Sequence, residues 1–241
     1  HGHNPQSTSW IMQLVLLSTL PGFLALSYQF GWGTFINLII AVVTSLIAES
    51  AILALRNRPI AFYLKDYSAA VTAVLLALAL PPLVPWWVVV GSLFSIVVAK
   101  QLYGGIGYNP FNPAMVGYVV LLISFPIEMT SWVTPISLLP EGVTHPGLWE
   151  SLSIVFAGNT PVDGVTGPTP LDLFKHSNGL VVEQIYQNEV LFSQASFAGV
   201  GWEWVNVGFL IGGLILLKTR IFTWYGPLAM LGTLALMSIL F

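Results

Sequence analysis

Long apolar runs separated by short polar breaks dominate this chain. They cover residues 10–30, 34–55, 68–83, 86–102, 113–132, 205–217 and 222–241. A helix crossing a bilayer needs about 20 mostly apolar residues, so the pattern predicts an all-α polytopic membrane protein with about seven transmembrane helices. Several runs contain Pro or Gly, which membrane helices tolerate better than soluble ones. The runs at 68–83 and 205–217 are short for a full span. Three parts follow: residues 10–132 with the first five helices, a polar connection over 133–201, and residues 202–241 with two more helices. The chain opens on His-Gly-His and stops at Phe241 inside an apolar run, which reads as a protein lacking both ends. No basic segment followed by a short apolar core marks a cleavable signal.

Charge gives these spans a direction. If the start of the first helix is cytoplasmic, Arg56, Arg58, Lys65, Lys100, Lys218 and Arg220 fall inside and only Lys175 falls outside. Glu128, Glu141, Glu150, Asp163, Asp172, Glu183, Glu189 and Glu203 then lie outside, with Trp32, Trp86, Trp87, Trp132, Trp202 and Trp204 as an outer aromatic belt. The expected home is a bacterial inner membrane, with the 133–201 loop in the periplasm. Loops of this length in a compact protein carry function or disorder, and the motifs in this one favour function.

Composition agrees and closes off other classes. Hydrophobic residues make up 56% of the chain and charged ones 7%, against roughly 25% charged in soluble domains. A net charge of −3 without a basic cluster gives no footprint for nucleic acid. The chain has no cysteine, so it makes no disulfide and ligates no iron–sulfur cluster or thiolate metal site. None of its four histidines lies inside an apolar run, which argues against a haem between the helices.

The polar exception is VDGVTGPTPLD, residues 162–172. Its residues support a Gly/Pro turn opening a short helix, with Thr169 or Asp172 as the N-cap ahead of LFKHS. They also present the Thr169 hydroxyl to water, and Asp163 lies six residues away. Elsewhere, Glu49 falls inside the second span, roughly 10 Å of helix rise before Arg56. A carboxylate there is either a functional group or a snorkelling or paired one. Asp66 at the start of the third span reads as an N-cap. In YGGIGYNPFNPA, the glycines follow a membrane helix rather than a strand, so they make no dinucleotide fingerprint. Asn112-Pro113-Ala114 matches the aquaporin tripeptide, but aquaporins need two copies and one exists here. Asn109 and Asn112 remain candidates for lining a binding cavity or an ion path, with Glu49 and Asp66, because broken helices at membrane depth line cavities.

DGVTGPTPLD resembles the flavinylation motif Asp-Gly-x-Ser/Thr-Gly-Ala-Thr of the RnfD/NqrB family of ion-translocating flavoprotein subunits. LKDYSAAVTAVLLALALPPLVPWW, AKQLYGGIGYNPFNPAMVGYVVLLISFP and GVGWEWVNVGFLIGG extend the likeness over essentially the whole chain. They bring it nearer to RnfD, the branch found in the Rnf electron transport complex. The resemblance implies FMN held by a phosphoester on Thr169 and installed by a flavin transferase. Asp163, Gly164, Thr166 and Gly167 would be the other motif residues. A non-covalent riboflavin is allowed as a second cofactor, and no metal is implied. Partners are implied too: other membrane subunits, a second subunit with covalent FMN, and iron–sulfur subunits. Pro168 departs from the family's Ala and Thr166 from its common Ser. The implied function is electron transport coupled to ion movement, by a subunit inactive on its own. The competing class is a cofactor-free channel or secondary transporter built on broken helices.

Overall fold

The computed structural model describes residues 7–158, 165–176, 179–197 and 199–240. Two long apolar helices, α1 (Thr8–Phe30) and α2 (Trp32–Leu55), form an antiparallel pair. Only Gly31 separates them, and its φ of 80° is a left-handed turn that a side chain would strain. By length and composition these two are the helices able to cross a membrane among the described residues. After the short α3 (Ile60–Leu64) come α4 (Ser68–Ala79) and α5 (Val88–Leu93), which runs on as a π-helix over Phe94–Gln101. Next are α6 (Pro113–Ser124) and α7 (Pro126–Thr130).

Two of the apolar runs yield shorter helices than the hydropathy pattern expects, and prolines explain where each stops. The run at 68–83 ends its helix at Ala79, because Pro81 forces Leu80 into extended backbone. The run at 113–132 breaks at Phe125 ahead of Pro126. Residues 80–87 are then irregular backbone packed within the protein, with Asn37 Nδ2 donating to the Pro81 carbonyl at 2.8 Å. α2 is the central helix: α1, α3, α4, α5, the π-helical segment and α8 (Leu148–Ala157) all pack on it.

The long connection is not a bare loop. It holds β1 (Trp132–Val133), a 3-10 turn (Ile136–Leu138), α8, β2 (Thr166–Gly167), α9 (Pro170–Lys175), α10 (Val182–Asn188) and α11 (Val190–Ser193). The strands pair antiparallel, Trp132 opposite Gly167 and Val133 opposite Thr166. Val133 and Val165 sink into an apolar cluster with Leu26, Phe30 and Val205, fastening the connection to the helix ends. The tryptophans also divide: Trp32, Trp86 and Trp204 are exposed, while Trp132 and Trp202 pack with Phe30 and Trp87 stacks on Phe125 at 4.3 Å. Half of the expected belt is thus internal packing.

The last helices are α12 (Trp202–Lys218) and α13 (Tyr225–Leu240). α12 lies along α1 with Gly208 and Gly212 spaced four apart at the contact, the small-residue arrangement that lets membrane helices approach closely. A Cβ on Gly212 would come within 2.0 Å of the Ser18 carbonyl, whereas one on Gly213 meets nothing within 4 Å. Gly212→Ala should therefore cost about 1–3 kcal/mol, and Gly213→Ala should be neutral or slightly stabilising. Thermal unfolding of the two variants in detergent micelles checks this.

Candidate functional site

Two separate places gather chemically able side chains. The first is the start of α9, at the end of the bundle where α2 begins and α6 ends. Thr169 is the N-cap residue, extended at φ −77° and ψ 161°, and Pro170 takes the first helical position, where a missing N–H does no harm. The Thr169 hydroxyl donates to Asp172 Oδ2 at 2.6 Å. Thr169 N–H donates to the same oxygen at 3.2 Å, while the Asp172 N–H donates to Thr169 Oγ1 at 3.2 Å. This is a capping box, so the N-cap expectation holds, with Thr169 as cap and Asp172 as its reciprocal partner.

Thr169 is only half buried, and Thr166 is exposed. Beside them lies an open groove of about 590 Å³ walled by Thr166, Gly167, Pro168, Asp172, Lys175 and His176 on one side and by the α7 end of the bundle on the other. Lys175 and His176 are exposed, and the His176 ring bonds the Asp172 carbonyl through Nδ1 at 3.0 Å. Gly167 leaves room for Thr134 Oγ1, which a Cβ there would meet at 2.8 Å. Asp163 and Gly164, the remaining motif residues, lie outside the described residues. The carboxylate beside the Thr169 hydroxyl is thus Asp172. Sequence reading named it only as a cap, though its position three residues on is the capping-box signal.

The second place is at the opposite end of the bundle. Glu49 is 2% exposed and pairs with Lys100, whose Nζ sits 2.5 Å from Glu49 Oε2 and 2.7 Å from Ser68 Oγ. Gln101 Nε2 donates to Glu49 Oε1 at 2.9 Å. The π-helical turn makes this possible: Leu102 N–H reaches back five residues to the Val97 carbonyl, and the widened turn aims adjacent Lys100 and Gln101 at one carboxylate. Such turns concentrate at functional sites. Of the open readings of Glu49, the paired one is what the structure contains.

Lys100 is 2% exposed. It therefore does not stand among the surface cations used to orient the chain, leaving Arg56, Arg58, Lys65, Lys218 and Arg220 at that end. Asp66 caps α4 from one residue further out than expected: Oδ1 accepts from Ser68 N–H at 2.7 Å and from Ser68 Oγ at 2.5 Å, with Tyr67 as the N-cap. Two cavities flank Lys100. One, about 400 Å³, is lined by Glu49, Arg58, Asp66, Gln101 and Gly104 among others; the second, about 240 Å³, includes Asn109 and Asn112. Asn112 also caps α6, accepting from Ala114 N–H at 3.0 Å, and Asn109 donates to the Phe111 carbonyl at 2.8 Å. Those bonds give the Asn-Pro-Ala tripeptide a local structural role. Lys100, Gln101 and Ser68 were missed from sequence, because nothing in a run of apolar helix signals the π-helical turn. No group of three or more His, Asp or Glu poised for a metal occurs among the described residues.

The chain matches known proteins along its whole length. The model of the NQR2, RnfD, RnfE family matches residues 1–241. The chain is 51% identical over 247 residues to the D-type member of the ion-translocating oxidoreductase complex of Alcanivorax borkumensis, covering 100% of this chain and 68% of that protein. It is 49% identical over 252 residues to the protein of the same name from Citrobacter koseri, covering 99% and 71%. With the Cellvibrio japonicus protein the identity is 46% over 242 residues, covering 100% and 67%. With its glycine-packed helices, broken spans and stapled loop, the chain belongs to the NQR2, RnfD, RnfE family.

Proposed function

We propose that this chain is the membrane flavoprotein subunit of an Rnf-type electron transport complex, with FMN joined to Thr169 Oγ by a phosphoester and electron flow coupled to ion movement. The observation that carries the proposal is the Thr169 hydroxyl itself. It is held at a fixed N-cap by Asp172, in a segment stapled to the bundle by the β1–β2 pair, beside an open groove. The residues present fit a flavin phosphate. A phosphoester needs an oxygen, the groove lies in the volume range of cofactor pockets, and Lys175 supplies a cation at its rim. When bound, the flavin accepts and donates electrons; the chain fixes its place and its electrostatic surroundings.

Thr169 would carry the attachment and Thr166 would line the groove. Asp172 would orient the hydroxyl before modification, and Lys175 would sit near the phosphate charge. Lacking cysteine, the chain holds no iron–sulfur cluster, so electrons reach and leave it through partner subunits. The proposed sidedness puts the site in the periplasm and the Glu49–Lys100 pair towards the cytoplasm, in a bacterial inner membrane crossed about seven times. The buried ion pair and broken helices favour a second reading as a cofactor-free transporter, and flavin content separates the two.

Thr169→Val removes the acceptor oxygen at nearly constant shape. In-gel flavin fluorescence of the protein should vanish, at a local cost of about 1 kcal/mol for the lost cap. Thr166→Val should keep the fluorescence, and peptide mass spectrometry should find the FMN mass on Thr169. Fluorescence undiminished in Thr169→Val would reject the assignment.

Because the native chain has no cysteine, single cysteines report sidedness cleanly. Gln187→Cys, exposed on α10, should react with an impermeant thiol reagent in intact spheroplasts, and Arg58→Cys only after lysis. The reverse pattern would invert the topology.

A further inference from the structure

One face of α2 carries Thr34, Asn37, Ala41, Ser45 and Glu49, spaced three or four residues apart and therefore stacked in a single stripe. All five are buried, Thr34 at 3% exposure and Ala41 and Ser45 at 0%. Thr34 Oγ1, Asn37 Oδ1 and Ser45 Oγ have no hydrogen-bond partner among the described residues. Helical hydroxyls in this chain ordinarily satisfy themselves on a preceding carbonyl, as Ser50 does on Leu46 at 2.7 Å and Thr19 on Leu16 at 2.8 Å. The interior stripe breaks that habit, as do Ser27 on α1 and Ser92 and Ser95 on α5 and its π-helical continuation. Buried polar atoms without partners are destabilising and call for an explanation such as a bound water or ion. Here they lead to Glu49, an ionisable group of the kind that marks ion pathways within membranes.

At the inner end of the stripe, the Lys100 ammonium sits 2.5 and 2.7 Å from two oxygens. Both contacts are charge-assisted hydrogen bonds to oxygen, the ligand atom that hard cations also prefer. Ser68 bridges Lys100 to Asp66, and Asp66 lines the same 400 Å³ cavity as Glu49. The ammonium thus has a second carboxylate within its own cavity. Two carboxylates face one buried ammonium there, since Arg58 at the mouth is exposed and lies over the Tyr63 ring at 5.6 Å.

We propose that the Glu49–Lys100 pair is the closed entry of a monovalent-cation route along this stripe. An incoming alkali cation takes the ammonium's place at Glu49 and Ser68, and Lys100 turns to Asp66. The route then continues past Ser45 to Asn37 and Thr34, with Ala41 as its narrow apolar step. Lys100 is a tethered competitor: the site never stands as an uncompensated carboxylate, and a cation must displace it to enter. The proposal rests on the ion-coupled reading only for onward passage, and it is independent of flavin at Thr169.

The test follows Lys100 in the intact complex in detergent, with a small amine-reactive reagent and peptide mass spectrometry. Sodium chloride in place of equal choline chloride should raise Lys100 labelling several-fold. In Glu49→Gln, labelling should be high in both salts. Thr169→Val should label like the native protein, so failure of the flavin reading leaves this result standing. In Lys100→Met, sodium should raise the melting temperature by about 2–4 °C over choline, and Glu49→Gln/Lys100→Met should lose that rise. Labelling equal in the two salts, or a sodium-dependent rise that persists in the double variant, would overturn the proposal.

Discussion

A backbone surrounded by hydrocarbon must satisfy its own N–H and C=O groups, and this requirement shapes every irregular part of the molecule. Where prolines interrupt α4 and α6, the exposed backbone is folded against protein rather than lipid. Asn37 takes up the Pro81 carbonyl, and the Trp86 N–H reaches the Val155 carbonyl of α8 at 3.0 Å. The long connection is bound in this way to the break in the bundle. Its β1–β2 pair and Val165 then complete the attachment. The segment carrying Thr169 is held in place because the helices beneath it are broken.

The buried charges obey the same constraint. An ion pair in a low-dielectric interior gains attraction only by losing hydration, so extra hydrogen bonds decide whether it is tolerable. Ser68 and Gln101 supply them here. Three helical segments meet at this pair, α2 through the Glu49 carboxylate and α4 through Ser68 on the Lys100 ammonium, and the pair therefore fixes the mutual register of α2, α4 and the π-helical turn. Removing one partner would be far more disruptive than removing both.

Hydropathy located the main helices of the bundle, and the Gly/Pro turn pointed to a cap at Thr169 or Asp172. What the sequence did not carry was the helix lengths, which prolines at 81 and 126 shortened, and the inward turn of Lys100. A lysine at a helix end reads as an interfacial cation by composition; only the five-residue hydrogen bond from Leu102 to Val97 turns it inside. Half of the tryptophans misled for a similar reason, since an amphipathic ring suits a membrane interface and an aromatic cluster equally well. The family resemblance adds the proposed role of Thr169, a reading that rests on residue identity rather than on periodicity.

A hydroxyl that has become an ester has no proton left to donate. Once flavinylated, Thr169 would lose its bond to Asp172, and the new phosphodiester would bring a negative charge beside that carboxylate. The cap of α9 would have to be rebuilt, with the carboxylate turned away and the phosphate facing the freed N–H groups. Maturation of this protein would then be a conformational event as well as a chemical one. An apo chain and its finished form would present different surfaces at the same loop, giving assembly factors a local means of telling one from the other.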